Sequence, residues 1–329
     1  MIRHIPAEIL NILPKEWINT LKGVVFKCYE IRLRVGQPVS LKGETAYKEM
    51  KRIIVTKESI NIIVQNICQS SYYAYQNELK LGYFTIQGGH RIGLAGQVII
   101  DKGEVNRIKN YSSLNIRIAR EIKGVAKAII DKCYLQNENI LVSTLIIAPP
   151  GGGKTTLLRD LARISSNGIK ELKIKPHQVS IIDERSEIAS CYLGEPQLDI
   201  GLNSDVLDSC PKTVGAMMML RSMGPQILVV DELGSTGDVE IVEECLNAGV
   251  VLFATAHASS IKQLKKRPTL KRILDRKLFK RIVLVKNQGQ VNGIYDENGD
   301  EIGGIKNDFI CQDSVSYLSR IRSGDVMQN

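Results

Sequence analysis

The chain has 329 residues, 43% of them hydrophobic and 24% charged, with seven cysteines and a formal net charge of +9. That length exceeds what one core fills well and suits two domains, while the composition excludes a fibrous repeat or wholesale disorder. No apolar run approaches the ~20 residues needed to cross a bilayer, the opening Met1-Ile2-Arg3-His4-Ile5-Pro6 lacks a signal-peptide core, and cysteines without a C-x-x-C pair exclude a disulfide framework or thiolate metal site. A protein of the reducing cytoplasm is expected. The positive excess permits nucleic acid, anionic lipid or an acidic partner and does not choose among them.

Residues 27–55 alternate in short stretches, with Ile31 and Leu33 set opposite Glu30, Arg32 and Arg34 as in half-buried strands, and with turns at Gly36 and Gly43. Residues 57–68 carry Ile60, Ile63, Val64 and Ile67 at helical spacing behind Thr56, a suitable N-cap. Two strands are expected over residues 83–100 around Gln87-Gly88-Gly89, another over 114–119, and a helix over 121–132. These make a smaller N-terminal α+β domain, residues 1–135, followed by the polar linker Gln136-Asn137-Glu138-Asn139. Residues 140–148 are then nearly continuously apolar, as a strand buried on both faces of a parallel sheet must be. Similar runs at 179–182, 227–230 and 250–254 alternate with helical patterns at 155–164, 213–223 and 238–248. Residues 136–329 are therefore expected to be an α/β domain, a mostly parallel sheet with flanking helices, whose ligands bind beyond the carboxyl ends of the strands. Residues 262–280 are basic and read either as a solvated helical face or as a dock for anionic lipid or a membrane partner. Residues 290–304 read as a hairpin around Asn298-Gly299, and the polar tail from Lys306 carries no evident chemistry.

The strand ends hold the chemistry. Ala148-Pro149-Pro150-Gly151-Gly152-Gly153-Lys154-Thr155-Thr156 lies between a buried strand and a helix, the context a phosphate loop requires. Pro150 and the three glycines shape a loop whose N–H groups converge on phosphate oxygens, Lys154 reaches the β and γ phosphates, and Thr155, with Thr156 beside it, enters the magnesium shell of bound ATP. The full pattern G-x-x-x-x-G-K-[ST] would place glycine where this chain has Ala148. Asp231 and Glu232, ending the 227–230 strand, are candidates to hold magnesium through water and to act as base. Asp183, Glu184 and Glu187 crowd a second strand end with Arg185, either around magnesium or as an acidic loop facing water. His257, after a third strand, could sense the γ phosphate or be structural. Arg221 could stabilise phosphoryl charge or be solvated, and Met217-Met218-Met219 reads as core filling.

In this order the phosphate loop, Asp183-Glu184-Arg185-Ser186-Glu187, Asp231-Glu232 and Thr255-Ala256-His257 resemble the motifs of type II and type IV secretion ATPases and pilus-retraction motors. Glu30 to Pro38 is similar to the segment opening their small N-terminal domain. Gly88 to Gly96, Pro149 to Asp160 and Ile182 to Ile188 together resemble the stage III sporulation protein AA family more closely. The resemblance implies a P-loop NTPase with a RecA-like sheet that hydrolyses ATP with Mg2+. It implies a hexameric ring at the base of a secretion-like channel complex, cytoplasmic in the mother cell and reaching the membrane through an integral membrane partner. It also implies that N-terminal arginines complete a neighbouring site, with Arg107, Arg117 and Arg120 as candidates. Those motors usually have glycine where this chain has Asp231, which leaves Glu232 and Glu184 both open as the residue that polarises water. The competing readings are a nucleic-acid-dependent P-loop ATPase, against which no interleaving of aromatic and basic residues is seen, and a nucleotide-gated scaffold without turnover.

Overall fold

A computed structural model describes residues 4–23, 28–43, 47–68, 79–80, 82–135, 137–286 and 289–302. The chain forms two compact units, one of Met1–Arg120 with Ser190–Gln197 and one of Glu121–Ala189 with Leu198–Asn329. The unit therefore changes at Arg120 and Glu121, ahead of the linker expected at 136–139, and the chain revisits the first unit over 190–197.

The first unit holds helices α1 (Ala7–Ile12), α2 (Lys15–Lys22) and α3 (Lys57–Cys68) and strands β1 (Cys28–Arg34), β2 (Pro38–Gly43), β3 (Tyr47–Ile54), β4 (Tyr83–Ile86), β5 (His90–Asp101) and β6 (Glu104–Arg117). The six strands make one antiparallel sheet in the order β3-β2-β1-β6-β5-β4. Alternation sends Ile31, Leu33, Val39, Leu41, Ile92 and Ile116 into one core with Ile60 and Ile63 of α3. Thr56 caps α3 as expected, its hydroxyl accepting from Ser59 N (3.1 Å) while Ser59 Oγ accepts from Thr56 N (2.9 Å). Gly96 sits at a bulge between β5 and β6, where an added Cβ would lie 2.8 Å from the Lys109 carbonyl, so this glycine is required by the close backbone approach. His90 is buried, its Nδ1 accepting from Ala119 N at 3.0 Å, and burial lowers its pKa. Gln197 returns to this unit, its side-chain oxygen accepting from Gly88 N at 2.8 Å. Arg107 and Arg117 are exposed on β6, and Arg120 stacks on the Tyr29 ring.

The second unit carries a short hairpin, β7 (Tyr134–Leu135) and β8 (Ile140–Leu141), and then β9 (Thr144–Ala148), α4 (Lys154–Asn167), β10 (Val179–Asp183), β11 (Ser204–Asp208) and α5 (Lys212–Ser222). It continues through β12 (Ile227–Val230), α6 (Asp238–Asn247), β13 (Val251–His257), α7 (Ile261–Lys265), α8 (Pro268–Asp275), β14 (Arg281–Lys286) and β15 (Gln290–Tyr295). The main sheet runs β11-β10-β12-β13-β9-β14-β15, parallel except for the final pair.

Strand β6 starts ten residues ahead of the strand expected at 114–119, and four further details differ from the sequence expectation. The helix expected at 121–132 is only a 3-10 turn, Val125–Ala128, entered from Gly124 at φ 89°, and Ala126 N donates to the buried Asp160 carboxylate of α4 at 2.8 Å. The run 140–148 is two strands, because residues 140 and 141 pair back on β7. The edge strand β11, Ser-Asp-Val-Leu-Asp, is too polar to read as a strand, and edge strands need no second apolar face. The last hairpin is β14–β15, with Asn298-Gly299 in a further turn closed by the Tyr295–Glu301 bridge; residues 303 and 304, and the tail from Lys306, lie outside the described residues. Burial pushes the thiols of Cys133 and Cys245 up to about 11 and about 12, which makes them inert packing groups.

Candidate nucleotide site

Parallel strands end on one edge, and the register there fixes what meets. His257 of β13 pairs with Ala148 of β9, and Val230 of β12 pairs with Ala254 of β13. Along that edge the chain therefore sets the 231–232 carboxylates, His257 and the 148–154 loop side by side.

The loop's shape follows from its residues. Gly151 and Gly153 have φ of 72° and 91°, and a Cβ on Gly152 would stand 2.8 Å from the Ala148 Cβ and 3.0 Å from the Pro149 carbonyl. Ala148 thus fills the position where the strict pattern has glycine, and Gly152 gives way to it. Gly152 is also held by the Gly289 N–H, which donates to its carbonyl at 2.8 Å. Helix α4 starts directly at Lys154 with no side-chain cap, leaving its first amides available to an anion.

Thr155 Oγ1 donates to Asp231 Oδ2 at 3.0 Å, and the fully buried Thr255 hydroxyl donates to Asp231 Oδ1. Thr255 Oγ1 also accepts from Glu232 N at 2.8 Å, fixing Glu232 at a left-handed φ of 53°, an uncommon backbone for a residue with a Cβ. The Glu232 carboxylate then reaches Arg185 Nη1 at 3.1 Å and His257 Nε2 at 3.2 Å. The same Nε2 lies 3.3 Å from Lys154 Nζ. An ammonium only donates and a carboxylate only accepts, so one imidazole nitrogen cannot serve both neighbours at once. His257 Nδ1 is buried without a hydrogen-bond partner among the described residues. These unspent groups, beside a loop that a Cβ would obstruct, fit a phosphate ligand and its cation.

Behind the edge, Asp238 is fully buried and accepts from Gly234 N (2.6 Å), Ser235 N (2.8 Å) and Lys212 Nζ (3.3 Å). Lys212 also donates to the Glu232 carbonyl. Arg267 Nη1 donates to the His257 carbonyl at 3.1 Å. Sequence reading missed Thr255, Asp238 and Lys212 as supports; the signal for Thr255 was a hydroxyl inside an apolar strand.

Three expected features fall outside this cluster. Asp183 turns inward and accepts from Glu187, Ile188 and Ala189 N–H at 2.7, 2.9 and 2.8 Å, with burial pushing its pKa up to about 6. Glu184 is exposed, and its charge contributes, after burial, to raising the Cys210 thiol; no hydrogen bond or ion pair ties it to the phosphate loop among the described residues. Arg221 lies in the last turn of α5, which runs back from this edge to the start of β12, so within one chain the helix direction puts it at the opposite edge of the sheet.

This architecture is the P-loop-type α/β fold of secretion ATPases. The pilus retraction motor PilT with bound ADP superposes with a TM-score of 0.55 at 14% identity, covering 96% of this chain and 87% of that one. The Legionella pneumophila ATPase DotB superposes at 0.52 with 14% identity, covering 79% of this chain and 72% of that one. The family described as "Sporulation stage III, protein AA" matches residues 4–302. Stage III sporulation protein AA of Bacillus subtilis (strain 168) is 43% identical over 302 residues, 89% of this chain and 96% of that one. The chain belongs to this sporulation family.

Proposed function

We propose that this protein is a Mg-dependent ATP-hydrolysing motor of the secretion-ATPase type, with a RecA-like nucleotide domain, energising a channel complex during endospore formation. The observation that supports it is the convergence of Lys154, Thr155, Asp231, Glu232 and His257 on one sheet edge. Lys154 and the amides of Gly151, Gly152, Gly153, Lys154, Thr155 and Thr156, shaped by Pro150, bind the phosphates. Thr155 and Asp231, already joined by a hydrogen bond, would hold Mg2+, which would supply charge neutralisation at the phosphates. Glu232 orients and deprotonates the attacking water, and His257 exchanges its contact with Lys154 and Glu232 for the γ phosphate. Glu184 stands in reserve as a second carboxylate. The motor works as a hexameric ring in the cytoplasm of the mother cell, docked on an integral membrane partner. Arg107, Arg117 and Arg120, tested as a group, are the candidates to complete a neighbour's site.

The test is turnover of Mg-ATP across protein concentration, with mass measured in parallel. Lys154→Ala is expected to lower turnover on the order of 10²–10³-fold, and activity is expected to rise with assembly. Turnover untouched by Lys154→Ala would sink the assignment.

A further inference from the structure

Residues 261–280 carry nine Lys and Arg against the single acid Asp275, a net +8 of the chain's +9; elsewhere 35 basic residues face 34 acidic ones. The rest of the charge is regional: residues 1–120 hold 18 basic and 9 acidic residues, whereas the remainder of the second unit holds 17 basic against 24 acidic, so this segment is the basic patch of an otherwise acidic unit. Its two helices bury their apolar residues, Leu264 on α7 and Leu270 and Ile273 on α8, all fully inaccessible. The same periodicity turns the charges outward, and Lys262, Lys265, Lys266, Lys271 and Arg272 are all exposed. None of these five makes an ion pair among the described residues, whereas Arg276 pairs with Glu243 and Lys280 with Glu297. A shallow groove along α8 is lined by Pro268, Lys271, Arg272, Asp275 and Arg276. Arg267 anchors the segment from beneath through the His257 carbonyl.

We propose that α7 and α8 form a docking face for the phosphate headgroups of an anionic lipid bilayer. Five unpaired cations on short helices held rigidly by a buried core repel one another and invite a diffuse negative surface. A protein partner would be read through apolar and aromatic anchors, and no exposed large hydrophobic residue falls in this segment among the described residues. A single-stranded nucleic acid would be read through stacking platforms, and the segment's one aromatic, Phe279, is buried. The face lies outside the nucleotide cluster, so its binding stands or falls separately from hydrolysis.

Co-sedimentation of the full chain with phosphatidylglycerol-containing and pure phosphatidylcholine vesicles, at low and high salt, tests it. The chain is expected to bind the anionic vesicles alone and to be released by salt, because exposed charges are screened. Combining Lys262→Gln, Lys265→Gln, Lys266→Gln, Lys271→Gln and Arg272→Gln should lower partitioning roughly 10³-fold, at about fivefold per cation, with the thermal midpoint unchanged. Replacing the four lysines by arginine, which keeps the charge and the solvated geometry, should preserve binding and serves if the glutamine set folds poorly. Equal binding to neutral vesicles, undiminished binding of the glutamine set, loss of binding in the arginine set, or displacement from vesicles by duplex DNA at equal phosphate concentration would each overturn the proposal.

Discussion

Two strands of the parallel sheet end in the same letters. Strand β10 runs into Asp183-Glu184 and strand β12 into Asp231-Glu232, adjacent in the sheet and in register. Their carboxylates do opposite things. Asp183 is 1% exposed and turns back to hold three amides of its own loop, while the side chain of Arg159 reaches the Glu187 and Ile188 carbonyls of that loop. Asp231 faces hydroxyls from two other elements, Thr155 of α4 and Thr255 of β13, and Glu232 continues to Arg185 and His257. The residue type does not decide between anchor and reactant; the donors that the following loop and neighbouring strand supply do.

Asp183→Ala should break the anchor most severely, with a stability loss of roughly 3–5 kcal/mol, because buried amide donors are left without acceptors. Asp231→Ala should cost turnover far more than stability; a thermal midpoint lowered as much as by Asp183→Ala would erase the distinction. Next in size is Thr255→Val, which keeps shape but strands the Glu232 amide, expected to cost about 1–3 kcal/mol in chemical denaturation and to lower turnover by releasing Glu232 from its left-handed backbone. A smaller effect is a pH slope. Asp183 is raised from 3.8 to about 6, so the folded chain binds its proton more tightly than the unfolded chain does. Stability from that proton is complete below pH 3.8 and lost as pH rises through about 6, and Asp183→Asn should flatten this part of the profile. Smallest is Glu184→Gln, expected to leave turnover within about twofold, as for an exposed side chain with no partner in the cluster.

Much of the second unit was legible because buried parallel strands write themselves as continuous β-branched runs, and the phosphate loop punctuates one of them. The four strand-end motifs were found; three of them meet directly, and the Asp183–Glu187 segment joins them, among the described residues, through Arg185 alone, its carboxylates turned elsewhere. Periodicity could not tell which way Asp183 points, since a side chain's direction depends on donors at residues 187–189 that carry no marker of their own. Arg221 was attractive for its nearness in sequence to the acidic strand, yet a helix that returns across the sheet carries its end away from the site. The polar edge strand β11 and the hairpin that captured residues 140 and 141 had no local signal, because both are defined by their partners.

The central claim is that Glu232, not Glu184, activates water at this edge. Glu232→Gln in the full chain, with nucleotide affinity and turnover measured together, tests it most directly. Retained ATP binding with turnover lowered on the order of 10²–10³-fold is the predicted result; turnover unchanged in Glu232→Gln and lost in Glu184→Gln would contradict it.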